Sequence, residues 1–126
     1  MTLTIASVNV NGIRAACKQR NENNPGMNAW LAETSADIVL MQEVRATPEQ
    51  AEKALAPALE MGWHLALADA AAKGRAGVGI LSRTPLADVE VGFGSFSDAG
   101  RWIAATTRDI RVASLYLPSG DTGSPK

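Results

Sequence analysis

Two short apolar runs in this chain each end in polar residues whose chemistry is oxygen-rich. Asn9 and Asn11 close the run over residues 3–10, and Gln42 and Glu43 close the run over 38–41. If the two runs are parallel neighbouring strands, their carboxyl ends share one edge, where open α/β sheets place ligand sites. One carboxylate with amide oxygens is hard-oxygen chemistry. It suits Mg²⁺, which takes one or two carboxylates and keeps waters for a phosphate substrate. On spacing alone the commoner reading is plainer: Asn11-Gly12 as a turn and Glu43 as a solvated charge.

Those residues need elements to hold them. Residues 3–10 alternate and are β-branched enough for a strand, and 38–41 is apolar on both faces, as in a covered parallel strand. Between them, 13–24 reads as irregular with a short helical turn. Asn24-Pro25 reads as a cap, and Met27, Trp30, Leu31 and Thr34 follow at helical spacing. Thr47 and Gln50 fit a capping box with Pro48 at the first helical position. Ala51, Ala54, Leu55, Ala58 and Leu59 then make one apolar helical stripe, which Gly62 ends. Further strands are expected at 63–69, 77–82, 87–91, 102–107 and 110–117, with 70–76 as a loop and 118–126 as turn material. The order is β-α-β followed by a β-meander with tight links such as Arg108-Asp109.

Composition narrows the class. The 126 residues carry 12 Lys+Arg and 13 Asp+Glu, a formal net charge of −1 that gives no global pull toward nucleic acid. Locally, residues 1–20 hold Arg14, Lys18 and Arg20 without an acid, and the next forty are acidic. Only 27 residues are Leu, Ile, Val or Phe, against 22 Ala, so a thin core is expected. A single Cys17 and a single His64 exclude a disulfide scaffold and a zinc finger. No apolar run approaches a membrane span, and the start lacks signal-peptide character. A cytoplasmic protein acting at the nucleoid is expected.

Five segments carry a family resemblance. Ala6-Ser7-Val8-Asn9-Val10-Asn11-Gly12-Ile13-Arg14-Ala15 resembles the opening motif of the exonuclease III family of abasic-site endonucleases, in the endonuclease/exonuclease/phosphatase superfamily. The segment from Asp37 to Arg45, with Gln42-Glu43 closing it, resembles the second motif. The stretch from Lys73 to Arg83 is similar to the third, a glycine-bearing strand. Gly100-Arg101 matches a short signature, and Tyr116-Leu117-Pro118 resembles the Tyr-x-Pro motif. They fall in the family's order across nearly the whole chain. The family's Asp-x-Asn motif, late Asp-His pair and tryptophan loop find no match; His64 and Asp109 do not fit them.

The resemblance implies the N-terminal half of a four-layer α/β sandwich of the DNase I-like kind, with a mixed, mostly antiparallel sheet. Residues 1–126 would be the N-terminal portion of a single domain whose C-terminal half is its missing partner, so that one inner sheet face would lack its cover. It implies Asn9 and Glu43 as the metal site, with Glu43 the direct Mg²⁺ ligand and Mn²⁺ a substitute, Asn11 behind them, and Tyr116 at the scissile phosphate. Arg14, Lys18, Arg75 and Arg101 are candidate phosphate contacts. The reaction implied is phosphodiester hydrolysis on duplex DNA with abasic sites or 3′ ends, in base-excision repair. The isolated chain is expected to be inactive, because the base that activates water belongs to the unmatched motifs.

Three rivals stand beside this reading. Gly77-x-Gly79 and Gly92-x-Gly94 superficially suggest a dinucleotide loop but lack its strand–helix setting and third glycine. A superfamily phosphatase on phospholipid or inositol head groups is the second, disfavoured by the Asn-Gly-Ile-Arg-Ala start. A non-catalytic fragment or binding module is the third.

Overall fold

The computed structural model describes residues 3–18, 26–68, 77–91 and 102–115. Strand β1 (Ile5–Asn9) leads into a one-turn helix α1 (Ile13–Ala16) and then α2 (Met27–Glu33). Strand β2 (Ile38–Gln42) follows, then α3 (Pro48–Ala54), α4 (Ala56–Glu60) and β3 (His64–Ala68). The chain continues with β4 (Val78–Ser82), β5 (Ala87–Val91), β6 (Trp102–Thr107) and β7 (Ile110–Leu115).

The expected parallel pair is present, with Ile5 opposite Ile38 and Asn9 opposite Gln42. The other pairings among the described residues are antiparallel. The strands after β2 do not form one meander, however. They divide between a sheet ordered β1-β2-β4-β3 and a sheet ordered β5-β6-β7. Strand β4 lies between β2 and β3 and is buried along its whole length. Gly79, set between Met41 and Leu67, leaves room for both side chains: a Cβ there would meet Leu67 Cδ2 at 2.8 Å and Met41 Cε at 3.0 Å. Both glycines of the Gly77-x-Gly79 pair thus lie in or beside a sheet strand.

Strand alternation sorts side chains to two cores. Val39, Met41 and Leu81 face the helices, where Ile13, Leu31, Ala51, Leu55, Ala58 and Trp63 cover them. Ile38, Val78 and Ile80 face the second sheet, against Ile103, Ala105 and Val112. The sequence-based expectation of an inner face without a partner holds only along the edge strand: the second sheet covers β2, β4 and β3, whereas Ile5 and Ser7 on β1, on the same face as Ile38, are exposed. The two sheets cover each other within the chain, and small Ala side chains in both let them approach. Three layers of the sandwich are present among the described residues: helices, sheet and sheet.

The capping box is present as expected: the Gln50 N–H donates to Thr47 Oγ1 at 3.2 Å and the Thr47 N–H to Gln50 Oε1 at 3.0 Å. The single helix expected after it is instead two. Leu55 (φ −94°, ψ 7°) leaves helical geometry between α3 and α4. The cause is Pro57, which has no N–H for the Lys53 carbonyl and whose ring crowds that turn. The apolar stripe survives the break, because Leu55 is fully buried at the joint.

Candidate active site

At the carboxyl edge of β1 and β2 the two loops are sewn together by backbone. Val10 N–H donates to Gln42 O at 3.0 Å, Gly12 N–H to Glu43 O at 2.8 Å and Ile13 N–H to Val44 O at 2.9 Å. Val44 N–H reaches Gly77 O at 3.0 Å, tying the edge to the approach of β4. Three non-glycine residues here have left-handed backbones: Asn11 (φ 45°), Glu43 (φ 54°) and Arg45 (φ 51°). Such conformations are costly for residues other than Asn, and the surrounding hydrogen bonds hold them. Their effect is to bury Val44 while Glu43 and Arg45 turn outward.

The expected pair comes together. Asn9 Nδ2 donates to Glu43 Oε2, and the Asn11 backbone N–H donates to Asn9 Oδ1 at 3.0 Å. Asn11 thus acts on Asn9 through its main chain. The opposite carboxylate oxygen, Glu43 Oε1, is paired with Arg45 Nη2. Hydrogen bonds first from Asn9 and then from Arg45, with the guanidinium charge added, hold the Glu43 carboxyl below its usual 4.5 against a smaller desolvation. The group is therefore an anionic oxygen donor at neutral pH.

Gln42 departs from the expectation of a polar ligand at this edge. Its Nε2 donates to Ser7 Oγ at 3.1 Å, Leu40 O at 3.1 Å and Ser114 Oγ at 3.3 Å, while Ser114 Oγ donates to Met41 O at 2.7 Å. It cross-links β1, β2 and β7, and so fixes the second sheet beneath the site. Arg45 is the functional residue that sequence reasoning left without a role. The signal for it was a base two positions past the carboxylate, but only the left-handed turn brings the two together.

The other candidates divide. Arg14 is exposed beside the pair, its Nη2 3.5 Å from the Arg45 carbonyl. Lys18 is exposed further along the same segment. His64 is an exposed residue at the start of β3, and Asp109 lies in the β6–β7 turn. Tyr116, Arg75 and Arg101 lie outside the described residues.

No group of three or more His, Cys, Asp or Glu side chains converges among the described residues. One ionised carboxylate with one amide is a donor set that fits Mg²⁺, whose remaining positions water and phosphate fill. No helix among the described residues is long and apolar enough to cross a membrane.

Residues 6–119 match the model of the Endonuclease/Exonuclease/phosphatase family, and the chain belongs to it. Its fold is the DNase I-like α/β sandwich of solved relatives. It is similar to an AP endonuclease from Archaeoglobus fulgidus at 32% identity and a TM-score of 0.74, covering 93% of this chain and 42% of that one. A 3′ phosphatase (NExo) from Neisseria, bound to product DNA hairpin, matches at 29% identity and a TM-score of 0.73, covering 91% and 41%. A 3′-5′ exonuclease (NExo) from Neisseria meningitidis matches at 30% and 0.71, covering 92% and 41%. The chain spans about two-fifths of the length of these proteins. Membership makes it part of a hydrolytic nuclease and phosphatase family.

Proposed function

We propose that this chain is the metal-binding N-terminal portion of a Mg²⁺-dependent, exonuclease III-like enzyme that hydrolyses phosphodiesters of duplex DNA at abasic sites or 3′ ends. The observation that carries the reading is the Asn9–Glu43–Arg45 arrangement at the carboxyl edge of β1 and β2. Likeness to an AP endonuclease and to a DNA-bound 3′ phosphatase supports DNA as the substrate.

Glu43 would ligate Mg²⁺ directly, with Asn9 at the same site. The metal when bound would polarise the phosphate and offset charge in an in-line displacement by water. Asn9 aims the Glu43 carboxylate, and the Asn11 amide fixes Asn9. Arg45 supplies the countercharge to Glu43 when no metal neutralises it. Tyr116, by its motif, would donate its hydroxyl to a phosphate oxygen and stabilise developing charge. The group that activates water would come from a C-terminal portion bearing an Asp-x-Asn and an Asp-His motif. The cytoplasm is the proposed compartment.

The test is a nicking assay on abasic duplex with and without Mg²⁺. We expect the 126-residue chain to stay near background, since each missing acid–base group is worth ~10²–10⁴ in rate. The polypeptide read from the native frame past Lys126 is expected to nick, and Glu43→Gln within it to lose most of that activity. Nicking by the short chain at the longer polypeptide's rate would refute the division of labour. Phosphate release from inositol lipids without nicking would refute the DNA assignment.

A further inference from the structure

A groove of about 490 Å³ opens beside the candidate site, lined by Arg14, Cys17, Lys18, Gln50, Lys53 and Ala54. Its floor is formed by the core packing of α1 against α3. Ile13 on α1 and Ala51 and Leu55 at α3 are fully buried in one core cluster, which locks the two helices side by side. Its walls hold three cations and no acid, although the chain as a whole is slightly acidic. Lys53 and Gln50 are one turn apart on α3 and exposed, and Arg14 and Lys18 are one turn apart on the facing segment. None of the three cations forms an ion pair among the described residues, and the Arg14 guanidinium lies 3.5 Å from the Arg45 carbonyl. The acids of α3, Glu49 and Glu52, are not among the lining residues.

The groove is also placed. Gly12 and Ile13 are bonded to Glu43 and Val44, so Arg14 enters the groove directly from the Asn9–Glu43 edge. Cations without acids, leading away from a carboxylate–amide pair, match a polyanion whose phosphates repeat at regular spacing.

We propose that Lys53 and Gln50 on α3 join Arg14 and Lys18 in one track that grips successive phosphates of duplex DNA as it leaves the candidate site. The inference rests on the DNA reading above and adds α3, to which that reading gives no role. Lys53 acts by charge and releases a counterion on binding; Gln50 donates a neutral hydrogen bond and releases none. These two modes separate experimentally, because only charge neutralisation steepens the salt dependence of binding, by about 0.9 per phosphate contacted.

The experiment titrates a short duplex DNA with the 126-residue chain over a series of salt concentrations, with circular dichroism to check each variant's fold. Lys53→Ala is expected to make the slope of log affinity against log salt shallower by about 0.9. Gln50→Ala is expected to weaken binding at unchanged slope. Arg111→Ala, at a β7 cation paired with Glu90 of β5, is expected to leave both unchanged. A Lys53→Ala slope equal to that of the unsubstituted chain overturns the track while the DNA reading stands. Absence of binding by the unsubstituted chain at low salt also overturns the track, while the DNA reading is decided separately by the nicking assay on the longer polypeptide.

Discussion

Glu43 owes its properties to two neighbours that sequence spacing does not place. Asn9 comes from another strand, and Arg45 reaches back only because residues 43 and 45 both take left-handed backbones. The consequence is a titration. In metal-free protein, carbon-detected NMR should show Glu43 half-protonated below 4.5, and Asn9→Ala should move the midpoint up. The sign for stability follows from the depressed folded value. The contribution is full above the unfolded value and disappears as pH falls through the folded one. Acid unfolding of Glu43→Gln should lack that step; identical pH profiles would contradict the assignment. Cys17 shows the opposite environment. Burial pushes its thiol from 9.0 up to about 11, a hydrogen bond with Asn28 opposing. At pH 8 its thiolate fraction is then about a hundredfold below that of an ordinary thiol. Iodoacetamide should label it correspondingly slowly in the folded chain and at the normal rate in denaturant.

The elements show what a linear pattern can and cannot announce. Strands β1 and β2 and the Thr47 cap are local signals, alternation in one case and a side chain matched to its own backbone in the other, and they stand where expected. The α3–α4 joint was written in Pro57, but the unbroken stripe from Ala51 to Leu59 concealed it, since a proline kink need not interrupt a buried face. Which sheet a strand joins is a non-local choice. The insertion of β4 beside β2 depends on Met41 and Leu67 meeting over Gly79, and no periodicity reports that. The same holds for the site: its residue types were legible, whereas the Arg45 contact and the inward turn of Gln42 were tertiary. Substitutions should grade accordingly. Thr47→Ala removes one half of the capping box and should cost ~1 kcal/mol. Leu55→Ala empties the fully buried joint and should cost about 2–5 kcal/mol. Gly79→Ala forces a methyl to 3.2 Å from the Ala66 carbonyl as well as the two side chains, and should cost about 1–3 kcal/mol. Urea unfolding ranks the three; a Thr47→Ala loss as large as that of Leu55→Ala would mean the cap governs more than its own helix.

For the molecule as a whole, the inner faces of the central strands are satisfied and the edges are not. Because β7 crosses β2 and β4 while β6 crosses β4 and β3, strands β1 and β7 border the same side of the sandwich. Ile5 on β1 and Leu115 on β7 are large apolar residues nearly half exposed there, at 45% and 44%. Each of these strands has one hydrogen-bonded neighbour among the described residues, so its outer backbone groups face outward. An open, apolar edge is a template for another strand, and charged side chains are the usual defence. The candidate site opens at the end of this same border, which is where a C-terminal portion of the domain, as proposed above, would have to reach Glu43. Alone, the 126-residue chain is therefore expected to self-associate with rising concentration. Ile5→Lys should suppress that association while leaving the thermal midpoint nearly unchanged, because Ile5 adds little to either core. Sedimentation velocity on both proteins decides the matter. A chain that stays monomeric over the whole range shows that the β1–β7 border is closed without a partner. If both proteins associate equally, the contact lies elsewhere, and the exposed strand β5, with Val89 and Val91, becomes the edge to charge next.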